Sequence, residues 1–268
     1  MMSMMSQSRL LLVGCGKMGG ALLQGWRDNI PDLLISILDP DFPDAQFRMI
    51  DELKGQGSFG CIVLAVKPQI MEETVRGLTD FALPSTLVIS IAAGKQISFF
   101  EDLLGSMSPV IRVMPNTPAA VGCGMSVLCA NNKVTSGHKK LAQGLMETVG
   151  LCAWVDDESQ MDAVTAVSGS GPAYVFHMIE ALAQAGISAG LSPDLSMMLA
   201  RQTVIGSGLL AAQNPDIDAA TLRQNVTSPG GTTEAALRVL MSPDAGLTNL
   251  LTRTVLDAQK RSIDLAKN

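Results

Sequence analysis

The stretch Val226–Glu234 holds the residue types of a small anion-binding pocket. Its centre is Ser228-Pro229-Gly230-Gly231-Thr232-Thr233, and a run with helical spacing follows from Ala235. Adjacent glycines let the backbone turn its amides outward, and the N–H groups at a helix start attract an anion. A helix-capping loop without a ligand would show the same pattern, so both interpretations stand on spacing alone.

A second glycine-rich turn lies near the start of the chain and has the pattern Gly14-x-Gly16-x-x-Gly19. It follows the short apolar run 9–13 and precedes residues with helical spacing, which is the context that a dinucleotide-binding turn requires. We expect Gly14 to make the tight turn, Gly16 to admit a pyrophosphate, and Gly19 to let helix and strand pack closely. The predicted cofactor-binding residues here are Gly14, Gly16, Lys17, Met18 and Gly19.

An acidic residue, Asp39, ends the second apolar run, 33–38, and lies 20 residues past Gly19. A carboxylate at this point accepts bonds from the adenosine ribose hydroxyls. The 2′-phosphate of NADP would meet like charge there, at a cost of roughly 1–4 kcal/mol in a wet site. Asp39 therefore favours NADH over NADPH. The sequence Asp39-Pro40-Asp41 is also typical of a turn, which is the alternative interpretation.

Further apolar runs at 61–66, 86–91 and 109–114 alternate with helical spacing. They predict a doubly wound, mainly parallel Rossmann-type sheet, an α/β fold whose ligands bind at the carboxyl ends of the strands. Two more strands, at 125–129 and 151–155, extend the sheet. Each exit loop could also be an ordinary connection, but together they predict the rest of the cofactor site, with Asn116 bonded to the nicotinamide carboxamide. These loops contribute Val66, Lys67, Pro68, Ala92, Ala93, Gly94, Met114 and Asn116.

Strand patterns end near Asp156, and the remaining chain predicts only helices. The predicted helices cover 159–167, 172–189, 193–213, 219–224 and 232 to the end, with a break near 242–244. We expect a disordered extension at 1–8, a dinucleotide-binding domain at 9–156 and an all-helical domain at 157–268. The apolar helices of the last domain need cover on every side, which predicts dimerisation through them.

The composition excludes several classes of protein. A net charge of −6 does not favour nucleic-acid binding, and no uninterrupted apolar run reaches the ~18 residues of a membrane span. The chain starts without the basic and apolar regions of a signal peptide. Five scattered cysteines predict reduced thiols in a cytoplasmic protein, and two histidines make a histidine-based metal site improbable.

Five motifs distributed along the chain occur together in one known family. They are Gly14-x-Gly16-x-Met18-Gly19, Ala65-Val66-Lys67-Pro68, Arg112-Val113-Met114-Pro115-Asn116-Thr117-Pro118, Ser168-Gly169-Ser170-Gly171-Pro172-Ala173-Tyr174 and Val226-Thr227-Ser228-Pro229-Gly230-Gly231-Thr232-Thr233. On these motifs the chain resembles the pyrroline-5-carboxylate reductase family from about Arg9 onward. The last motif is highly specific to that family, whereas many dehydrogenases share the first.

The resemblance implies a Rossmann domain followed by an all-α domain that forms a homodimer or a larger homo-oligomer. It implies hydride transfer from NADPH or NADH to the C=N carbon of 1-pyrroline-5-carboxylate, which gives L-proline in the final step of proline biosynthesis. The family often has Ser, Asn or Arg after the second strand, which suits NADPH, whereas Asp39 stands here. The segment between Asp39 and Lys67 also looks several residues shorter than usual.

In that family the Ser-Pro-Gly-Gly-x-Thr loop cradles the substrate carboxylate and ring nitrogen. Mapped onto this chain, the carboxylate is expected on the amides of Gly230, Gly231 and Thr232, with help from the Ser228 hydroxyl. Thr233 is the candidate catalytic residue, bonded to the ring nitrogen, although its hydroxyl could instead bond only to the helix backbone. The implied substrate-binding residues are Asn225, Ser228, Gly230, Gly231, Thr232 and Thr233.

Two other functions remain open on the sequence alone. A 3-hydroxyacid dehydrogenase of similar layout needs a catalytic lysine in the helix after its second glycine turn, whereas residues 174–177 are Tyr, Val, Phe and His here. A non-catalytic nucleotide-binding regulator would keep the fold without needing the intact loop at 228–233.

Overall fold

The computed structural model describes residues 9–266 and divides them into two compact units. The first unit runs up to Gly169 and includes the chain from Ala258 onward, and the second is Ser170–Asp257. The predicted extension at residues 1–8 lies outside the described residues. The division into functional domains at 156/157 stays a prediction.

A seven-stranded sheet forms the centre of the first unit, with the order β2-β1-β3-β4-β5-β6-β7. All neighbouring pairs are parallel except β5 and β6, which are antiparallel. The predicted doubly wound, mainly parallel sheet is therefore confirmed, and each predicted apolar run overlaps one strand. The strands are β1 (Leu10–Val13), β2 (Ile35–Leu38), β3 (Cys61–Leu64), β4 (Leu87–Ser90), β5 (Val110–Met114), β6 (Gly124–Ala130) and β7 (Gly150–Trp154).

Helices connect these strands and cover both faces of the sheet. The α-helices of this part of the chain are α1 (Lys17–Asn29), α2 (Met71–Gly77), α3 (Ile97–Leu104), α4 (Ser136–Glu147) and α5 (Met161–Val164). Short 3-10 helices lie at Ile50–Leu53, Pro68–Ile70, Thr117–Val121 and Glu158–Gln160, and a π-helical turn at Thr165–Gly169 follows α5.

Side chains of each strand alternate between two apolar layers, as the two-residue period of a strand requires. Leu10 and Leu12 of β1 join the layer that α1 and α4 cover, whereas Leu11 and Val13 join the layer under α2 and α3. The indole of Trp26, fully buried on α1, donates to the Leu145 carbonyl of α4 at 2.9 Å. Burial of the sheet on both faces explains why its strands read as continuous apolar runs.

The connection from β2 to β3 is short, and within the described chain it contains one 3-10 helix and no α-helix. It folds back onto β2, where Phe47 makes a parallel bridge to Leu38. The Phe47 amide donates to the Ile37 carbonyl, and the Asp39 amide donates to the Phe47 carbonyl, both at 3.0 Å. This connection lies within the segment between Asp39 and Lys67 that looks shorter than usual in the sequence.

The second unit is entirely helical and leaves much apolar surface exposed. Phe176 is 61% exposed and Met198 is 63% exposed, although both lie on long apolar helices. One of these helices, α7, has the length and apolar composition that a membrane span needs, but it also carries Asp194 and Arg201. The helices are α6 (Gly171–Ser188), α7 (Pro193–Gln213), α8 (Ala219–Asn225), α9 (Thr232–Leu240) and the first half of α10 (Leu247–Ala266), whose residues from Ala258 belong to the first unit.

Candidate active site

The turn between β1 and α1 uses its three glycines in different ways. Gly14 has φ +90°, and a Cβ there would lie 2.9 Å from the Ala65 carbonyl. A Cβ on Gly19 would lie 2.3 Å from the Gly14 oxygen, so only glycine lets α1 approach β1 this closely. Gly16 has φ −70°, and apart from its chain neighbours no described heavy atom lies within 4 Å of an added Cβ.

The free space at Gly16 lies at the start of α1, which begins at Lys17. The first N–H groups of a helix lack carbonyl partners within the helix, so they can bind an anion. Open space, free amides and a close helix–strand contact are together what a dinucleotide pyrophosphate requires. Of the other predicted residues here, Lys17 is exposed, whereas Met18 packs against the apolar layer beneath α1.

The Asp39 side chain forms hydrogen bonds to both the glycine turn and the loop that follows β2. Its Oδ2 accepts from the Cys15 amide at 2.6 Å, and its Oδ1 accepts from the amides of Asp41 and Phe42 at 2.8 and 2.9 Å. The Asp39 carboxylate therefore stabilises the turn at residues 39–42, as the turn interpretation predicted. It also borders the glycine turn, as the ribose-binding interpretation required. One lone pair of Oδ2 remains for a further donor such as a ribose hydroxyl.

The environment of Asp39 favours its charged form. Burial opposes ionisation, but the amides of Cys15, Asp41 and Phe42, with the charge of Arg48, outweigh it and hold the pKa of Asp39 below its usual value. The Arg48 guanidinium donates to the Pro40 carbonyl at 2.6 Å. A negative charge and a nearby positive charge thus lie at the end of β2, where the 2′ group of the adenosine ribose is read in this type of fold.

The exits of β3 and β4 lie at the same edge of the sheet as the glycine turn, because β1, β3 and β4 are parallel. The Val66 side chain borders the turn, since its Cγ1 would lie 2.9 Å from a Cβ on Gly14. After β4, Ala92 is buried, and Gly94 has φ +76° and packs near Leu265. Lys67 and Pro68 lead into the 3-10 helix that precedes α2, and Ala93 is half-buried.

Asn116, at the exit of β5, uses its side chain inside the protein. Its Oδ1 accepts from the Met125 amide at 2.8 Å, and its Nδ2 donates to the Oγ and the carbonyl oxygen of Ser168 at 3.2 and 3.3 Å. A bond from this nitrogen to a carboxamide would have to replace one of the bonds to Ser168. The neighbouring Met114 packs against Gly169, where an added Cβ would lie 2.4 Å from the Met114 Cε.

An ion pair between Arg112 and Glu158, which the sequence motifs do not predict, holds the β4 exit in place. Arg112 is buried on β5, and its Nη1 donates to Glu158 Oε1 at 2.9 Å. The same oxygen accepts from the Ile97 amide, the first of α3, at 2.9 Å. The signal was present, because a lone arginine in an apolar strand needs a buried counter-charge.

In the second unit, the loop 226–231 joins α8 to α9 and is held by its own bonds. The Thr227 hydroxyl donates to the Arg223 carbonyl at 2.7 Å, and Gly230 adopts φ +72°. The Gly230 amide donates to the Glu234 carboxylate, and the Gly231 amide donates to the Ser228 carbonyl at 3.0 Å. Two of the three amides predicted to hold a substrate carboxylate therefore already have partners in the loop.

The amides that remain for a ligand are those at the start of α9. Gly231 is the N-cap, and the Ala235 amide is the first to bond one turn back. Thr232, Thr233 and Glu234 thus present N–H groups without a helical carbonyl partner. Asn225 ends α8, and both it and Ser228 are exposed, whereas Thr233 is half-buried. Glu234 was missed as a loop anchor, although an acidic residue three positions after the N-cap is a capping signal.

Metal chemistry finds no support among residues 9–266, where no group of three or more His, Cys, Asp or Glu side chains could hold a metal ion. Their five cysteines are all free, with Cys61 and Cys129 buried and Cys123 exposed. Burial and the charge of Glu147 raise the pKa of Cys152 to about 11, so this thiol stays protonated at neutral pH.

The fold and the glycine turn define a class, the dinucleotide-binding α/β proteins, here with an all-helical unit attached. The family model for pyrroline-5-carboxylate reductase dimerisation matches residues 158–265. Pyrroline-5-carboxylate reductase of Pseudomonas aeruginosa is 38% identical over 98% of both chains, and that of Haemophilus influenzae is 39% identical over 88% of this chain and 90% of its own.

Solved structures agree with these relatives. A pyrroline-5-carboxylate reductase from Coxiella burnetii has a TM-score of 0.89 and 34% identity, over 97% of this chain and 99% of its own. Pyrroline carboxylate reductase of Plasmodium falciparum, with NADP bound, has a TM-score of 0.82 and 32% identity, over 98% and 99%. The chain belongs to the pyrroline-5-carboxylate reductase family, as its motifs predicted.

Substitution of two glycines in the first turn separates ligand approach from helix packing. Gly16→Ala should cost less than about 1 kcal/mol of stability, the effect of alanine at an N-cap, because the added methyl meets only open space. It should weaken NAD(P)H binding roughly tenfold or more by blocking the pyrophosphate. Gly19→Ala should instead destabilise the fold by about 1–3 kcal/mol, because its methyl overlaps the Gly14 carbonyl.

Urea unfolding and cofactor titration by tryptophan fluorescence measure the two effects. Equal losses of stability in the two variants, or an unchanged cofactor Kd in Gly16→Ala, would contradict this division of roles.

Proposed function

We propose that this chain reduces the C=N bond of 1-pyrroline-5-carboxylate with NADPH or NADH and so forms L-proline, the final step of proline biosynthesis. The observation that carries the proposal is the similarity to named reductases over nearly the whole chain, with the substrate loop at 228–233 intact. The relatives do not favour a 3-hydroxyacid dehydrogenase or a non-catalytic regulator.

The first unit supplies the cofactor site. The glycine turn receives the pyrophosphate on the amides that start α1, and Asp39 receives a ribose hydroxyl. The exits of β3, β4 and β5 border the rest of the dinucleotide through Val66–Pro68, Ala92–Gly94 and Met114. When bound, the nicotinamide supplies the hydride that the imine carbon accepts.

The substrate carboxylate binds at the start of α9. The amides of Thr232 and Thr233 and the hydroxyl of Ser228 donate to it, and Asn225 at the end of α8 borders the same loop. Attraction of an anion to a helix terminus is worth ~0.3–2 kcal/mol, so several hydrogen bonds must share the binding. The bonds of the Gly230 and Gly231 amides within the loop support this arrangement by fixing its shape.

Thr233 is the group proposed to bond to the ring nitrogen. A cyclic imine accepts hydride well once its nitrogen is protonated, so the chain needs little acid–base machinery. Threonine is a poor acid, and we infer that its hydroxyl orients the imine while solvent supplies the proton. Alignment of the reacting carbon atoms can contribute several kcal/mol through positioning alone.

We further infer that the chain acts as a homodimer or a larger homo-oligomer in the cytoplasm. Its match to a dimerisation family supports self-association, and the exposed apolar residues of α6 and α7 are of the kind that a partner covers. The family assembly also explains the apolar character of α7 without a membrane. Five free cysteines suit a reducing compartment.

An absorbance assay tests the reaction directly. Purified protein should oxidise NADH or NADPH in the presence of 1-pyrroline-5-carboxylate, with L-proline formed in equal amount. The cofactor alone and the substrate alone are the controls. Oxidation of neither cofactor would reject the proposed function and favour the alternative, a non-catalytic nucleotide-binding regulator.

The role of Thr233 predicts a selective kinetic loss. Thr233→Ala should lower kcat/KM on the order of 10- to 100-fold, because the hydrogen bond to the ring nitrogen is lost. Its melting temperature should stay close to that of the wild type. Thr252→Ala is the matched control, because the Thr252 hydroxyl donates to the Thr248 carbonyl of its own helix, at 2.8 Å. Unchanged kinetics of Thr233→Ala would show that the Thr233 hydroxyl bonds only to the helix backbone and takes no part in the reaction.

The charge of Asp39 predicts cofactor preference. We infer that NADH is preferred, because the 2′-phosphate of NADPH would lie beside a carboxylate whose pKa is below its usual value. Asp39→Asn keeps an acceptor for the turn but removes the charge, and it should lower the KM for NADPH about tenfold with less effect on NADH. Asp41→Asn, which removes the exposed charge two residues further on, is the control. A wild-type preference for NADPH that Asp39→Asn does not change would reject this role.

A further inference from the structure

The side-chain amide of Asn116 joins three segments that lie far apart in the sequence. It follows β5, accepts from the Met125 amide at the start of β6, and donates to Ser168 in the π-helical turn. Its partners are thus 9 and 52 residues away along the chain. All three segments belong to the first unit.

The chemistry of this position requires an amide. The Met125 N–H must meet an acceptor and the Ser168 carbonyl must meet a donor, so the orientation of the Asn116 amide is fixed by its partners. Aspartate has the same shape but would place an oxygen against the Ser168 carbonyl. Alanine would leave both partners without a bond, which is costly for half-buried groups.

The location connects this amide with the reaction. β1, β3, β4 and β5 are parallel neighbours, so the β5 exit lies at the same edge as the glycine turn, three strand spacings away. At ~4.8 Å per spacing this is about 14 Å, which suits the nicotinamide end of a dinucleotide whose pyrophosphate lies at β1. Asn116 stands at that end of the edge.

A second contact ties the same two segments together. The Met114 side chain packs on Gly169, where any Cβ would overlap it. Ser168 and Gly169 belong to the π-helical turn Thr165–Gly169, and such turns occur frequently at functional sites. Two contacts therefore hold the β5 exit against this turn: the bonds from Asn116 to Ser168 and the packing of Met114 on Gly169.

We propose that Asn116 is a positioning residue for hydride transfer, which acts through Met125 and Ser168 without touching the cofactor or the substrate. It holds the β5 exit against the π-helical turn that contains Ser168. The β5 exit in turn borders the proposed position of the nicotinamide. This role rests on the proposed function, and it differs from the direct bond to the carboxamide that the sequence suggested.

The chain offers a matched control for the test. Asn131 bridges the same two strands at the opposite edge of the sheet, where its Oδ1 accepts from the Val110 amide at 3.2 Å. Its Nδ2 donates to the Ser108 carbonyl at 2.9 Å and to Glu101 Oε1 at 2.8 Å. Asn131→Asp should therefore disturb the same pair of strands as Asn116→Asp, but away from the proposed site. The full-length protein is used for both variants.

Four quantities are compared in the wild type and both variants: melting temperature, cofactor Kd, kcat, and the deuterium isotope effect on kcat with cofactor labelled at C4. Asn116→Asp should lower kcat roughly 10- to 100-fold, the effect of a misplacement of about 1 Å, and raise the isotope effect because hydride transfer becomes slower. Its cofactor Kd should stay within about threefold of the wild type, since no direct contact is lost. Asn131→Asp also sets two carboxylates against each other at Glu101, so it should lose at least as much thermal stability, with kcat within about twofold of the wild type.

Three results would overturn the proposal: an unchanged kcat in Asn116→Asp, equal kcat losses in the two variants, or a cofactor Kd that rises as much as kcat falls. The last would make Asn116 a cofactor contact.

If Asn116→Asp does not fold, Ser168→Ala is the second variant. It removes only one of the two acceptors of the Asn116 Nδ2 and should lower kcat about threefold with a raised isotope effect. An unchanged kcat in that variant would also overturn the proposal. A wild type that oxidises neither cofactor rejects the proposed function itself, a result distinct from all of these.

Discussion

Parallel pairing of four neighbouring strands is the constraint on which the rest of this structure depends. Because β1, β3, β4 and β5 run in the same direction, their carboxyl ends meet at one edge of the sheet. The glycine turn and three exit loops, far apart in the sequence, therefore lie at one edge of the sheet. The antiparallel strand β6 then returns the chain to the β5 exit, which places the Met125 amide beside Asn116.

Single polar side chains hold the loops around the proposed sites. Asp39, Asn116, Glu158 and Glu234 each accept from at least one backbone N–H that lies in a loop or at the first turn of the element next to it. Because an unpaired N–H is costly where water is partly excluded, each of these bonds fixes the path of its loop. Loops held in this way leave the amides at the helix starts of α1 and α9 for ligands, which is the arrangement that anion binding needs.

The second unit differs from the first in the amount of apolar surface that its helices expose. Its helices α6 and α7 are apolar around much of their circumference, and many of their large side chains are exposed in the single chain. Exposed apolar surface of this extent commonly marks a site of interaction. The match of residues 158–265 to a dimerisation family agrees with the proposal that a partner covers this surface.

The sequence by itself determined the seven strands, the helices of the second half, the glycine turn and the family, because these depend on local periodicity, on glycine spacing and on contiguous motifs. Only the tertiary structure decided which polar groups meet: the amide of Asn116 finds Ser168 across 52 residues, and Arg112 finds Glu158 across 46. It also decided that the Gly230 and Gly231 amides bond within their own loop, so that the free donors lie at Thr232 and beyond. The physical reason is that a hydrogen bond is directional and short, so its partner depends on the three-dimensional path of the whole chain, whereas apolar periodicity is recorded residue by residue.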